Sequence, residues 1–147
     1  MKLHHYGLLT KDLNSSISIL KKNSYVEVSN IIECKYQNVR LIFLKKKNSK
    51  ILIELVDCKK NNQLKKFFKK EITMRKNKLF FKYHECYYSE HFNKMIDKFK
   101  NTYNCKSLDT ENKSVIFRNV IFLKKKNSKL LIELVSNLRA KYKYLLF

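Results

Sequence analysis

Two histidines and two glutamates recur at matching positions in this chain. His5 and His84 are 79 residues apart, as are Glu54 and Glu133, so each histidine precedes its glutamate by 49 residues. Imidazole nitrogens and carboxylate oxygens are ligands that divalent metals use in mixed sites. The matching positions therefore predict a single metal site formed by His5, Glu54, His84 and Glu133.

The glutamates lie in a nearly identical repeat, whereas the segments around the histidines have diverged. Residues 43–56 read FLKKKNSKILIELV and residues 122–135 read FLKKKNSKLLIELV, and they differ only at Ile51 and Leu130. HHYGLLT and YHECYYS share only the histidine. Passive duplication would not preserve that one residue, so we interpret it as functional. The alternative is an ordinary structural or solvated histidine at the start of a strand.

Each copy of the repeat predicts a βαβββ module. The helix of the first module has Leu13, Ile17 and Leu20 on one face, with Asp12 or Asn14 as its N-cap. The helix of the second module has an apolar face from Phe92 to Phe99, with Ser89 as its N-cap. In both modules KKNSK predicts a polar hairpin turn between the last two strands. The predicted organisation is one domain, with modules at residues 1–57 and 79–147 and a basic linker at residues 58–78.

Strand alternation places each glutamate opposite the apolar face of its strand. In ILIELV, Ile53 and Leu55 point towards the helix and Glu54 points away. Glu133 has the same setting in the second copy. A carboxylate in the middle of an apolar strand is costly to bury unpaired, so two of them call for a cation.

The composition is strongly basic but does not favour nucleic acid. The net charge is +21, yet the chain has one glycine and no proline, and it is rich in the residues of AT-rich codons. Lysine greatly exceeds arginine, whereas readers of base edges favour arginine. We therefore expect a small anionic ligand and leave a basic polyanion-binding protein as the last alternative. The linker is predicted to be solvated, with one helical turn at Leu64, Phe67 and Phe68, and its alternative role is an anion-contacting lid.

Cysteine spacing and hydropathy indicate a cytoplasmic protein. Cys34, Cys58, Cys86 and Cys105 form no CxxC pair, so we expect reduced thiols and no zinc finger. We predict no signal peptide and no membrane span, because no apolar run approaches the roughly 18 residues that a span needs.

Several segments resemble the vicinal oxygen chelate superfamily, in its glyoxalase and methylmalonyl-CoA epimerase branch. They are HHYGLLTKDLNSSI, QNVRLIFL followed by ILIELV, and LKKFFKK followed by YHECY. The resemblance implies an α+β fold with two βαβββ modules in a curved sheet of eight strands around one divalent metal. It implies His5, Glu54, His84 and Glu133 as ligands, and Glu54 or Glu133 as the catalytic base.

The resemblance also implies a reaction. We expect a metal-dependent isomerase or lyase that removes a proton next to a carbonyl of a small acyl thioester or 2-oxo compound. The first alternative is a non-catalytic small-molecule-binding protein of the same fold. The ligand set suits Zn, Ni, Co, Mn, Fe or Mg, and a homodimer is compatible with paired modules.

Other polar residues are predicted to have lesser roles. We expect His4 to face the helix or solvent, because it alternates with His5, and His91 to be exposed. Arg40 and Arg118 are expected to be solvated or strand-pairing, with contact to an anionic substrate as the alternative. Cys86 is expected to be inert packing, or to face the site two residues after His84. The closing segment LRAKYKYLLF is expected to dock as a short helix or to pair with a partner.

Overall fold

The computed structural model describes residues 1–75, 78–108 and 113–146, and its contacts divide into two compact units. Unit A comprises residues 6–82, and unit B comprises residues 1–5 and 83–147.

Unit A is built around strand β4, which pairs antiparallel with β2, β3 and β5. Strand β1 begins in unit B and continues beside β5. The elements are β1 (Lys2–Thr10), α1 (Leu13–Lys22), β2 (Tyr25–Glu27), β3 (Ile32–Cys34), β4 (Val39–Lys46), β5 (Leu52–Asp57) and α2 (Asn62–Met74).

Unit B is built around strand β9, which pairs in parallel with β6 and antiparallel with β8. Strand β7 pairs antiparallel with β8. The elements are β6 (Phe80–Tyr88), α3 (Phe92–Asn101), β7 (Cys105–Ser107), β8 (Phe117–Lys125), β9 (Leu131–Leu138) and a C-terminal 3-10 helix (Ala140–Leu145).

The described residues contain nine strands, so the predicted count of eight is wrong by one. The additional strand arises because the segment predicted as one strand divides into β2 and β3. The backbone N–H groups of Val28 and Ser29 both donate to the carbonyl of Phe43. Two residues thus oppose one, as in a β-bulge, which bends the strand and interrupts its ladder. The α+β class and the βαβββ order of the second module are confirmed.

The predicted faces of the closing strands are confirmed. Ile53 and Leu55 pack with Leu13, Ile17 and Leu20 of α1. Leu134 and Ile132 pack likewise with Met95 and Phe99 of α3. Because side chains alternate along a strand, each glutamate projects from the face that its helix does not cover.

Two helix N-termini test the predicted caps. Asp12 caps α1, and its side chain accepts a hydrogen bond from the Ser15 backbone N–H at 3.0 Å, which lowers the pKa of Asp12. The N-cap predicted at Ser89 is wrong, because α3 begins at Phe92 and its N-cap is His91. Ser89 instead accepts a hydrogen bond from the backbone N–H of His91 at 3.1 Å, so it shapes the turn before the helix.

The segment predicted as a linker contains a helix of 13 residues, much longer than the single predicted turn. The side chain of Asn61 accepts a hydrogen bond from the Leu64 N–H at 2.9 Å, and its amide donates to the carbonyl of Gln37 at 2.7 Å. Phe67 and Phe68 contact the ring of Phe81 at centroid distances of 5.9 and 5.5 Å. The helix extends beyond one turn because Phe67 and Phe68 pack against Phe81. The lysine-rich sequence of the segment does not reveal this packing surface.

Asn61→Ala should lower the free energy of unfolding by about 1 kcal/mol, within the ~0.5–2 kcal/mol usual for N-caps. The variant loses both hydrogen bonds of the cap. Urea denaturation followed by circular dichroism measures the change. The exposed neighbour Asn62 provides the control variant Asn62→Ala, and equal effects in the two variants would contradict a capping role for Asn61.

Asparagine takes the place of glycine in the turns. Asn48 and Asn127 have φ values of 69° and 63° and occupy equivalent places in the two KKKNSK turns. Asparagine tolerates this left-handed region better than other residues with a Cβ. In both turns a serine hydroxyl accepts a hydrogen bond from the backbone N–H two residues later, at 3.0 Å for Ser49 and 3.1 Å for Ser128. The predicted hairpin turn is therefore confirmed in both copies.

The described lysines are all exposed except the half-buried Lys11 and Lys82. The ammonium groups of these two lie over the rings of Phe68 and Tyr6, at 5.5 and 3.9 Å from the ring centroids. Among the described helices, none combines the length and hydropathy that crossing a bilayer requires.

Candidate metal centre

Three of the four predicted ligands converge in unit B, carried by strands β1, β6 and β9. His5 Nε2 lies 3.0 Å from His84 Nε2. Oε2 of Glu133 lies 3.2 Å from His5 Nε2 and 3.3 Å from His84 Nε2. The side chains of His5, His84 and Glu133 are 0%, 1% and 8% exposed. The parallel pairing of β6 with β9, in which Cys86 lies opposite Glu133, brings the β6 and β9 ligands to the same region of the sheet.

The three donor atoms have the spacing that a metal ion requires. Two ligand atoms that each lie about 2.1 Å from one octahedral or tetrahedral ion are about 3.0–3.4 Å apart. The three separations fall in that range. Within the described part of the chain, Oε2 of Glu133 is buried yet accepts no well-directed hydrogen bond. The trio therefore fits a divalent cation held by two imidazole nitrogens and one carboxylate oxygen.

The electrostatics of the trio favour an ionised glutamate. Burial by itself would raise the pKa of Glu133, but the imidazoles of His5 and His84, 3.2 and 3.3 Å from its Oε2, lower it overall. A carboxylate that stays ionised while buried is the form that binds a metal.

Aromatic rings fix the orientation of the imidazole of His84. The ring of Tyr83 contacts it edge-on at a centroid distance of 4.5 Å, and Phe122 does so at 6.1 Å. Phe122 pairs directly with Glu133 across β8 and β9, so the same ring lies beside two of the candidate ligands.

Glu54 occupies in unit A the strand position that Glu133 occupies in unit B. It lies in β5, is 7% exposed, and pairs across the ladder with Phe43 of β4. Phe122 has the equivalent place beside Glu133. Participation of Glu54 as the fourth ligand stays a prediction.

His4 does not have the setting predicted for it. The sequence indicated a side chain facing the helix or solvent, but His4 is fully buried and its Nδ1 lies 2.8 Å from Nδ1 of His5. Its Nε2 lies 3.1 Å from the carbonyl oxygen of Leu145 in the C-terminal 3-10 helix, which confirms that the closing segment docks as a short helix. Strand alternation alone missed this contact, because it depends on a partner 141 residues away.

Three of the other candidate residues have the strand-pairing or solvent-exposed settings that the sequence predicted for them. Arg40 pairs with Asp57 across β4 and β5 at 2.8 Å, and Arg118 is exposed. His91 is exposed, as predicted. Cys86 is fully buried, and its sulfur lies within 4.8 Å of ring nitrogens of His4 and His5.

The four cysteines are buried thiols, and Cys58 should be unreactive in the native protein. Burial, assisted by the neighbouring Asp57, raises the pKa of Cys58 to about 11. A raised pKa keeps the thiol protonated, so at pH 8 Cys58 should have about 100-fold less thiolate than an ordinary thiol. Iodoacetamide labelling read by peptide mass spectrometry measures this, with urea-unfolded protein as the control. Rapid native labelling of Cys58 at pH 8 would contradict the burial described here.

Solved structures share this architecture over nearly the whole chain. A Streptomyces coelicolor methylmalonyl-CoA epimerase variant in complex with 2-nitronate-propionyl-CoA has a TM-score of 0.72 at 15% identity, over 93% of this chain and 97% of that one. The chain has the vicinal oxygen chelate fold. The Mycobacterium tuberculosis methylmalonyl-CoA epimerase has a TM-score of 0.66 at 17% identity, over 92% and 87%. A hypothetical protein from Bacillus halodurans has a TM-score of 0.69 at 15% identity, over 92% and 94%.

The likeness to vicinal oxygen chelate structures is one of fold, since identities of 15–17% show no more than that. No family model and no curated protein sequence matches the chain. The fold expected from the resemblance is thus confirmed by structure.

Proposed function

We propose that the chain is a metal-dependent vicinal oxygen chelate enzyme, an isomerase or lyase that removes a proton next to a carbonyl of a small substrate. One observation carries the proposal: the side chains of His5, His84 and Glu133 converge within 3.0–3.3 Å in a buried site. Buried ionisable groups without a compensating ion are costly. Three of them, contributed by separate strands of this fold, support a metal centre.

Glu54 is the proposed fourth ligand. Like Glu133, Glu54 lies in the closing strand of its module and is paired with a phenylalanine on the neighbouring strand. The two glutamates are also similarly buried. A set of two imidazoles and two carboxylates suits Zn, Ni, Co, Mn, Fe or Mg. Such an ion, when bound, supplies Lewis-acid polarisation of a substrate carbonyl.

We infer that the base is one of the two glutamates of this ligand set. Strands β4 and β8 contain no aspartate or glutamate, so neither provides a separate carboxylate. Glu133 is held between two imidazoles, with its Oε2 3.2 Å from Nε2 of His5 and 3.3 Å from Nε2 of His84, so it is the more firmly positioned of the two carboxylates. Glu54 is therefore the stronger candidate for accepting the proton, and Glu133 for holding the metal.

The proposed substrate is a small anionic acyl thioester or 2-oxo compound. One similar structure is a methylmalonyl-CoA epimerase in complex with methylmalonyl-CoA, at 15% identity and a TM-score of 0.68. The net charge of +21 favours encounter with an anion. Acyl thioesters are therefore the first class to test.

Proton exchange into deuterated water tests the proposal. Purified protein, analysed for metal by mass spectrometry, is incubated with methylmalonyl-CoA and with a panel of small 2-oxo acids. We expect one metal ion per chain and deuterium incorporation next to a carbonyl, both lost after chelation and recovered with added metal. His91→Ala serves as the matched control, since His91 is exposed.

Two other results would replace the proposal. Ligand binding without proton exchange would favour a non-catalytic small-molecule-binding protein of the same fold. The absence of carboxylates from β4 and β8 also supports that alternative. Absence of any metal, with salt-dependent binding of polyanions, would favour a polyanion-binding protein.

A further inference from the structure

The imidazole of His5 has neighbours at both ring nitrogens. Its Nε2 is part of the candidate metal centre, 3.0 Å from His84 Nε2. Its Nδ1 lies 2.8 Å from Nδ1 of His4, and His4 Nε2 lies 3.1 Å from the carbonyl oxygen of Leu145. The candidate centre thus extends through His5 and His4 to the C-terminal 3-10 helix.

The carbonyl group of Leu145, the last member of this series of hydrogen bonds, sets the direction of the others. A carbonyl oxygen only accepts, so the hydrogen lies on Nε2 of His4. Nδ1 of neutral His4 is then a lone-pair acceptor, and the short contact requires Nδ1 of His5 to donate. Nε2 of neutral His5 is therefore left without a hydrogen, with its lone pair directed into the candidate centre.

We propose that His4 is a positioning residue, which holds His5 in the tautomer that presents Nε2 to the metal. This inference rests on the proposed metal site and adds to it a residue outside the proposed ligand set. Metal-bound histidines usually donate their other N–H to a carboxylate, a backbone carbonyl or water, and loss of that partner typically lowers metal affinity about 10–100-fold. Here Nδ1 of His4 takes the place of that acceptor.

Packing around His4 keeps its ring in place. The ring contacts Phe117 edge-on at a centroid distance of 5.5 Å and lies 6.4 Å from Tyr88. Leu145 is 1% exposed, and the following N–H, of Leu146, donates to the carbonyl of Lys143. Both ends of the His4 hydrogen bond are therefore held by well-packed groups.

A competing arrangement uses the same atoms differently. His4, His5 and Cys86 offer two nitrogens and a sulfur within 4.8 Å of one another, a set that could hold a metal of its own. An ion bound there through Nδ1 of His5 would exclude the hydrogen bond between the two imidazoles. The presence or absence of a cysteine ligand on the bound zinc therefore separates the two arrangements.

Long-range ¹⁵N–¹H NMR of the metal-free wild-type protein tests the tautomers directly. We expect a hydrogen on Nε2 of His4 and a hydrogen on Nδ1 of His5. The opposite tautomer of His5, or a hydrogen on both nitrogens of His4 at neutral pH, would overturn the inference. Because this measurement needs no metal, it decides the inference even if the proposed function fails.

Zinc affinity then tests the role of His4. Titration against a competing chelator should show about 10–100-fold weaker binding for His4→Phe. His4→Gln should recover most of that loss, because its amide can accept from His5 and donate to Leu145, and His91→Gln should bind as the wild type does. Circular dichroism confirms folding of each variant. Unchanged affinity in His4→Phe, equal losses in His4→Phe and His4→Gln, or a bound zinc ion with a cysteine ligand would each overturn the inference.

Discussion

Glu54→Gln should lower the rate of substrate proton exchange by about 10²–10⁴-fold, the usual contribution of a general base, while the chain keeps its metal. Glutamine preserves the size of the side chain and an oxygen for the metal but cannot accept the proton. Glu133→Gln should have a milder effect on exchange, because Glu133 is already held between His5 and His84. Exchange of the α-proton of the substrate, measured at saturating metal, gives both rates.

The two glutamine variants serve as controls for each other. They change equivalent positions of the repeat by the same chemistry, so a general loss of stability should affect them similarly. The reverse order of effects would assign the base to Glu133. Full exchange in both variants would contradict the catalytic assignment, even if the metal site stands.

His84→Ala should lower metal affinity by more than about 100-fold, since even loss of a partner outside the ligand set costs about 10–100-fold. It removes one of the nitrogens that converge on Oε2 of Glu133. Metal bound at 100 times its Kd stabilises a native protein by about 2.7 kcal/mol. The wild type should therefore unfold at a higher temperature with zinc than without it, and His84→Ala should lose that shift.

The exposed His91 again provides the matched control. His91→Ala removes an imidazole from the same unit without touching the trio, so its zinc-dependent shift should match the wild type. Calorimetry of each variant with and without zinc measures the shifts. A full zinc-dependent shift in His84→Ala would show that His84 is not a ligand.

The sequence predicted the convergence of His5, His84 and Glu133 because it contains two copies of one module. Two copies in one chain allow a comparison of residues under equal structural demands, and the histidine persisted where its neighbours changed. Strand alternation then placed each glutamate away from the helix, as the packing of Leu55 and Leu134 confirms. That residues 1–57 and 80–136 superpose stays a prediction.

Features that depend on distant contacts could not be predicted. The burial of His4 requires the carbonyl of Leu145, which no local pattern connects to it. The division of β2 from β3 depends on two N–H groups that share the carbonyl of Phe43. Helix α2 depends on a packing surface at Phe81, which lies beyond the helix in the sequence.

The near identity of the two KKKNSK hairpins has a consequence for folding. Hairpins form from local contacts within microseconds, before pairings between distant strands, and the β4–β5 and β8–β9 hairpins share their turn and most of their closing strand. In the native chain β5 lies beside β1, and β9 pairs in parallel with β6. An exchange of the two hairpins would keep nearly every local contact, so the diverged first strands have to select the correct partner. Refolding at high concentration should therefore favour swapped pairings between chains, a characteristic failure of repeat proteins.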